Sequence, residues 1–329
     1  MSGSLPRQRS MGVRWRLCAG PAVASGWSRP CSSFRPSRRR QRLYLRRDLT
    51  DEFLAAADRI VTVRVEAVST TDRSRVDRLE LLDAAGALAG MVLVRRPVSK
   101  TAPGPRRTLV VYAGKHTGER ILALVPERPG LVLVAPLYPD IDAHGLLDSL
   151  AWPRRLRSAV MSTVGAGMAT LADLDARGVA RGRTVALGAS LGSSFATIHA
   201  ALDERVDELL IVHGGGDLPL VVETVYTQRG RPALAVAARG AAGMLVASFD
   251  PVRWVGRVSP RPLLVIASRR DPYFPVASVE ELLAAARAPK RIVWTDTAHV
   301  GASKSEIVAS IMAEIEAYLD EERHGLPLN

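Results

Sequence analysis

The chain has 329 residues, 24% of them charged and 47% apolar, a composition that suits one large buried core and excludes collagen-like and disordered chains. Its net charge of +12 arises at one end, because residues 1–47 hold 12 arginines and no acidic residue, and the 33 remaining basic residues match the 33 acidic ones. A body that binds nucleic acid is therefore not expected, since affinity for phosphate requires a clustered surplus of positive charge.

Residues 1–47 form a basic tail rich in Arg, Ser, Pro and Gly, and we predict a disordered extension or a misassigned start codon. The alternative is an export signal from Met11, with Gly12–Arg16 as its basic part and Ala22–Ala24 as its cleavage site. An organelle presequence or a lipid-anchored Cys31 are further alternatives. The sequence slightly favours a cytoplasmic protein over an exported one, and only the tail has the charge to bind polyanions.

The cysteines, Cys18 and Cys31, both lie in this tail. The body from Asp48 onward is therefore expected to have neither a disulfide nor a cysteine-ligated metal. No apolar run approaches the roughly 18–20 residues of a membrane-spanning helix, so none is expected.

The body begins with a predicted helix at Asp51–Ala57 and a strand at Val61–Ala67, whose residues alternate between apolar and polar. After a turn at Asp83–Gly86, a second strand is predicted near Met91–Val94. Short, continuously apolar runs then follow, as is typical of strands buried on both faces. These runs are Leu109–Tyr112, Leu131–Ala135, Thr184–Leu187, Leu209–Val212, Leu263–Ala267 and Ile292–Trp294.

Longer segments between these runs have the pattern of helices: Leu156–Arg177, Ser193–Leu202, Val279–Ala286 and Glu306–Glu322, the last with a capping box from Ser303 to Glu306. The sequence therefore predicts an α/β fold, a doubly wound, mostly parallel sheet of eight strands with an antiparallel entrance. We expect one domain over residues 48–329, with Gly214–Arg253 as a small cap-like insertion near the carboxyl edge of the sheet.

Ser190 is the candidate nucleophile. It lies in Gly188-Ala189-Ser190-Leu191-Gly192, between a predicted buried strand and a predicted helix. This is the strand–turn–helix setting in which G-x-S-x-G has catalytic meaning, because the tight turn leaves no room for a Cβ at the flanking positions.

A serine hydroxyl needs a general base, and His299 is the candidate because its loop connects the last strand to the last helix. His199, within the helix after Ser190, is expected to face packing or solvent. Asp271, at the carboxyl end of a strand, is the candidate acid that orients the histidine. Asp296 is the alternative acid, but it is only three residues from His299 in sequence.

The order Ser190, Asp271, His299, together with the turn around the serine and the strand count, resembles the α/β-hydrolase superfamily from about Val61 to Leu319. The resemblance implies an oxyanion hole made by the backbone N–H of Leu191 and a second N–H from the loop after the third strand. That loop reads Tyr112-Ala113-Gly114-Lys115-His116-Thr117-Gly118 and shares only its glycine with the His-Gly of many members. The backbone N–H of Lys115 is the expected second donor.

The string His213-Gly214-Gly215-Gly216 matches a motif of some esterases, but there it precedes the nucleophile. Here it follows Ser190, so we interpret it as a flexible exit from a strand, with pocket lining as the alternative. The sequence has no P-loop, no GxGxxG after a strand, no HExxH and no cluster with metal-ligand spacing, so no cofactor or metal is expected.

These features together predict a serine hydrolase that cleaves carboxylic esters of small to medium acyl groups, with a small-molecule ester as its partner. Amide, thioester or peptide hydrolysis on the same fold is one alternative, and a non-catalytic binding protein of this fold is another.

Overall fold

The computed structural model describes residues 48–98, 107–114, 117–139, 146–301 and 304–323. The predictions for the tail of residues 1–47, for the Lys115 amide and for the capping box at Ser303 fall outside the described residues.

The described residues contain one sheet of nine strands in the order β1-β2-β3-β5-β4-β6-β7-β8-β9. β1, β2 and β3 pair antiparallel, as do β3 and β5, whereas all pairs from β5 through β4 to β9 are parallel. The predicted mostly parallel sheet with an antiparallel entrance is thereby confirmed. The strands are β1 Thr62–Thr70, β2 Ser74–Leu82, β3 Leu88–Pro97, β4 Arg107–Tyr112, β5 Leu131–Leu137, β6 Arg183–Ala189, β7 Glu208–Val212, β8 Leu263–Ser268 and β9 Lys290–Thr295.

The predicted count of eight strands was wrong by one, because β2 was not expected. Its apolar alternation is interrupted by Asp77, which is buried and paired with Arg75 and Arg96. A buried charge on a strand breaks the two-residue period by which half-buried strands are found in sequences. The loop after the predicted third strand is therefore the loop after β4.

Helices flank the sheet on both faces. They are α1 Thr50–Asp58, α2 Ile121–Leu124, α3 Leu146–Ala176, α4 Gly192–Leu202, α5 Leu218–Gln228, α6 Pro232–Leu245, α7 Pro251–Trp254, α8 Val276–Ala285 and α9 Ser305–Arg323. All the predicted helices are present, and α3 begins ten residues before its predicted start at Leu156.

The core consists of two apolar layers separated by the sheet. In β4, Val110 and Tyr112 face the layer that includes α1, α3, α4 and α8, whereas Leu109 and Val111 face the layer that includes α2 and α9. This explains why the central strands have no polar alternation, since successive side chains point to opposite faces and both faces are covered.

The segment between β7 and β8 holds α5 and α6, which pack against each other as a helical hairpin, followed by the short α7. Asp217 begins α5, with its side chain accepting from the N–H of Leu220, and Asp250 begins α7 by accepting from Val252. Asp250 also accepts from the N–H of Leu218, so one carboxylate joins the two ends of the segment.

Candidate active site

Ser190 occupies a strained turn between β6 and α4. Its φ is 55°, in the left-handed region, and its N–H donates to the carbonyl of Val212 at 2.9 Å. A Cβ on Gly188 would collide with the backbone of Gly192, and a Cβ on Gly192 would collide with the carbonyl of Tyr112. Both flanking glycines are therefore required sterically, and the turn lifts the serine side chain to the carboxyl edge of the sheet.

The structure brings Ser190, His299 and Asp271 into one hydrogen-bonded row. The Nε2 of His299 lies 2.8 Å from the Oγ of Ser190, and its Nδ1 lies 2.6 Å from the Oδ2 of Asp271. The three residues follow β6, β9 and β8, whose carboxyl ends meet at the same edge because the strands are parallel. Asp296, the alternative acid, is exposed.

Asp271 is held by the backbone as well as by the histidine. Its Oδ1 accepts from the N–H groups of Tyr273 at 2.8 Å and Phe274 at 3.1 Å, which leaves Oδ2 directed at His299. A carboxylate fixed in this way selects the imidazole tautomer with a proton on Nδ1, so that Nε2 is free to accept the proton of Ser190.

Aromatic rings enclose the imidazole of His299, whose exposed fraction is 7%. Tyr273 meets it edge-on with a centroid distance of 4.9 Å, and Phe274 stacks on it at 5.9 Å. The Nζ of Lys304 donates to the carbonyl of His299 at 3.0 Å. The ring is thus restrained on several sides and largely shielded from water.

The loop after β4 runs beside the serine, because a Cβ on Gly114 would lie 3.5 Å from the Cβ of Ser190. Leu191 is the N-cap residue of α4, so its amide is at the positive end of the helix dipole. These are the two places from which the oxyanion donors were predicted, and the Lys115 amide lies outside the described residues.

An apolar cavity of about 650 Å³ opens beside Ser190. Residues from the carboxyl ends of the strands, from α5 and from α9 line it. Val221, Val222 and Val225 contribute from α5, and Ile311, Met312 and Ile315 from α9. This volume is within the range of small-molecule sites, and its lining favours hydrocarbon groups.

The interpretation of His213–Gly216 as a flexible exit was wrong. These residues are buried, and a Cβ on Gly214, Gly215 or Gly216 would collide with Ser193, Ser278 or Val252 respectively. They do not line the cavity either. The three glycines allow the chain to leave β7 through tightly packed surroundings.

His213 is the residue of the site that sequence reasoning missed. It is 1% exposed, its ring centroid is 5.8 Å from that of His299, and its Nδ1 accepts from the N–H of Val300 at 2.9 Å. Burial lowers the pKa of His213 to about 4, with the nearby His299 and Lys304 acting in the same direction and Asp271 opposing them. The sequence held one indication of the position of His213. This residue directly follows β7, and β7 lies between β6 and β8, the strands that precede Ser190 and Asp271.

His199 is not part of this row but belongs to a second, fully buried one. It bonds Tyr112 through Nδ1 at 2.8 Å and Asp203 through Nε2 at 3.1 Å. Burial raises the pKa of Tyr112, so its hydroxyl stays protonated. Burial opposes ionisation of Asp203, but hydrogen bonds from His199 and Arg205 hold its pKa below the ordinary value. The row ties α4 to β4, the two elements that flank the candidate oxyanion site.

One cluster within the described part of the chain has the spacing of metal ligands. His213, Asp271 and His299 each offer a ligand atom, and these atoms lie within 4.8 Å of one another. The same atoms take part in the hydrogen bonds given above, which account for the cluster, and we assign no metal to it. Over the residues that the structure describes, no helix combines the length and apolarity needed to cross a membrane.

Comparison with known proteins gives structural likeness only. No protein-family model matches the chain, and no curated protein matches it. Acetyl xylan esterase 1 from Thermoanaerobacterium sp. is similar in structure, with a TM-score of 0.56 and 16% identity over 77% of this chain and 89% of that one. An acetyl xylan esterase from Paenibacillus sp. R4 has a TM-score of 0.56 and 18% identity, covering 82% of this chain and 93% of its own.

A puromycin-hydrolyzing peptidase of Mycobacterium tuberculosis is also similar, with a TM-score of 0.51 and 18% identity over 78% of this chain but 39% of that one. At these identities the likeness concerns the fold. The chain has the α/β-hydrolase fold, as its sequence predicted.

Proposed function

We propose that this protein is a serine hydrolase that cleaves carboxylic esters of small to medium acyl groups. The observation that carries the proposal is the row from the Oγ of Ser190 through His299 to Asp271, with distances of 2.8 and 2.6 Å. A hydroxyl, a base within hydrogen-bond reach and a group that orients the base are the parts that nucleophilic catalysis needs. The apolar cavity beside Ser190 supports an acyl group as the part of the substrate that is bound.

In the proposed first half-reaction, the Oγ of Ser190 attacks the ester carbonyl while the Nε2 of His299 takes the hydroxyl proton. Asp271 stabilises the imidazolium through Nδ1. The tetrahedral intermediate collapses as the bond to the alcohol oxygen breaks, and His299 returns its proton to that oxygen. The alcohol leaves, and the acyl group remains on Ser190 as an ester.

The second half-reaction repeats these roles with water. His299 removes a proton from a water molecule that attacks the acyl carbonyl, and then returns the proton to the Oγ of Ser190 as the carboxylic acid leaves. In both halves the developing oxyanion would be held by the backbone N–H groups of Leu191 and Lys115. Such a donor is worth about 3–4 kcal/mol in the transition state.

Amide, thioester or peptide hydrolysis is the alternative, because the same row of residues serves all of these reactions. A structurally similar protein named as a peptidase supports keeping it, whereas two similar proteins named as esterases favour esters. The remaining alternative, a non-catalytic binding protein, leaves the hydrogen-bonded row and the strained serine without a role. Within this proposal, residues 48–329 form the catalytic domain, residues 214–253 its cap, and residues 1–47 a separate tail.

The test compares the purified wild type with Ser190→Ala on p-nitrophenyl esters and with a fluorophosphonate probe. Ser193→Ala is the matched control, because Ser193 lies three residues after Ser190 in the first turn of α4, is buried and does not line the cavity. We expect hydrolysis and probe labelling in the wild type and the control, and neither in Ser190→Ala. A folded wild type that neither hydrolyses esters nor labels at Ser190 would refute the proposal, and hydrolysis of p-nitroanilides alone would favour the amide alternative.

A further inference from the structure

His213 lies beside the row of Ser190, His299 and Asp271 but is not a member of it. Its φ is 47°, in the left-handed region that residues other than glycine adopt uncommonly, although asparagine, aspartate and histidine do so more often than the rest. Its Nε2 is buried without a hydrogen-bond partner among the described residues. Both features are unfavourable for folding, so packing alone does not account for a histidine at this position.

The hydrogen bond of His213 is directed at the loop that carries the candidate base. Its Nδ1 accepts from the N–H of Val300 at 2.9 Å, and Val300 directly follows His299. Because Nδ1 is the acceptor, the ring is neutral and carries its proton on Nε2. The backbone after His299 is therefore fixed to the end of β7, and the carbonyl of His299 accepts a further hydrogen bond from the Nζ of Lys304.

The same nitrogen of His213 also lies 3.6 Å from the Oδ2 of Asp271. The charged and titratable groups that face the ring are Asp271 after β8, His299 after β9 and Lys304 before α9. Burial, together with His299 and Lys304, keeps the ring neutral near pH 7, so that Nδ1 stays an acceptor for Val300 and does not donate to Asp271. His299 therefore remains the imidazole that donates to this carboxylate oxygen.

We propose that His213 is a positioning residue, which holds the loop of His299 through the Val300 amide and so keeps the imidazole aligned between Ser190 and Asp271. This inference rests on the proposed serine hydrolase function. Its physical basis is the sensitivity of proton transfer to geometry, since a displacement of about 1 Å can reduce the rate about 100-fold. His213 acts through His299 and does not itself contact the substrate.

The test compares His213→Ala with His213→Asn. Asparagine tolerates a positive φ, and its Oδ1 offers an acceptor close to where Nδ1 stood, whereas alanine removes the acceptor. We expect His213→Ala to lower kcat for a p-nitrophenyl ester about 10- to 100-fold with KM changed less than about threefold. His213→Asn is expected to recover kcat to within about threefold of the wild type, with the fluorophosphonate labelling rate following kcat in both variants.

A wild-type kcat in His213→Ala would overturn the proposal, and so would equal losses in two folded variants, because the acceptor would then have no special role. A readout independent of turnover is the downfield proton NMR resonance of the hydrogen bond between His299 and Asp271. It should persist in His213→Asn and broaden or shift in His213→Ala. If the wild type proves inactive on all substrates, the hydrolase proposal fails, and an unchanged resonance in His213→Ala would separately refute the positioning role.

Discussion

The apolar cavity beside Ser190 predicts how kcat/KM depends on the length of the substrate's acyl chain. Burial of one methylene in an apolar site contributes about 0.8 kcal/mol, which corresponds to roughly a fourfold change in kcat/KM. Six methylenes separate an acetyl from an octanoyl group, which sets an upper bound of about 5 kcal/mol, or roughly 3,000-fold. Ordering of the chain reduces this gain. We expect octanoate esters to exceed acetate esters in kcat/KM by at least about 100-fold.

The assay is hydrolysis of p-nitrophenyl esters from acetate to palmitate, at concentrations below micelle formation. Val222→Trp places a large ring in the α5 part of the cavity lining, and we expect it to reduce the advantage of octanoate over acetate in kcat/KM. Val236→Trp is the matched control, because Val236 is 72% exposed on α6 and does not line the cavity. This control should leave the ratio unchanged.

A flat or falling profile from acetate to octanoate in an active wild type would refute the assignment of the cavity as the acyl site. An equal effect of Val222→Trp and Val236→Trp on the ratio would also refute it, because the profile would then not depend on the cavity volume.

Three further predictions concern the turn, the acid and the response to pH. Asp271→Asn should lower kcat by roughly 10⁴-fold without unfolding, because an amide no longer fixes the tautomer of His299, and an enzyme assay with circular dichroism checks both points. Gly192→Ala should lower the urea midpoint sharply, since its Cβ would overlap a backbone carbonyl at the end of β4, whereas Gly240→Ala, with open space around it in α6, should raise stability by about 1 kcal/mol. Burial lowers the pKa of His213 to about 4 from an ordinary 6.5, so His213 binds a proton more readily in the unfolded chain than in the folded one. The free energy of unfolding should therefore fall by up to about 3 kcal/mol as the pH drops from 6.5 to 4, and this part of the loss should be absent from His213→Asn in urea titrations at pH 7 and pH 4.

The central strands and the row of three residues could be predicted from sequence because their signals are local. A strand such as β6, which is buried on both faces, appears in the sequence as an uninterrupted apolar run. The glycines on either side of Ser190 indicate a tight turn, because a Cβ at those positions would collide with the backbone. The order of the parallel strands then brings Asp271 and His299 to the same edge. No contact between distant residues had to be known for these steps.

The parts that were missed depend on contacts between distant residues. In the sequence, Asp77 has the character of a surface residue. In the structure it is buried, and its carboxylate forms ion pairs with Arg75 and Arg96. His213 was passed over because a run of three glycines suggested flexibility, whereas those glycines admit close packing against Ser193, Ser278 and Val252. Neither fact can be obtained from periodicity, which reports one element at a time.

The helical hairpin of α5 and α6 has far fewer buried residues than the strands β7 and β8. Its described burial is limited to Pro219 in α5 and to Ala235, Ala242 and Gly243 in α6, whereas every residue of β7 and β8 is buried. Segments with few buried contacts open at lower free energy than the core, so hydrogen exchange should be faster in the hairpin amides than in the strands. We therefore expect the α5 residues of the cavity lining to open separately from the strand residues of that lining. Under the proposed function, we expect mutations that loosen the hairpin to change the entry of substrate without displacing Ser190, His299 or Asp271.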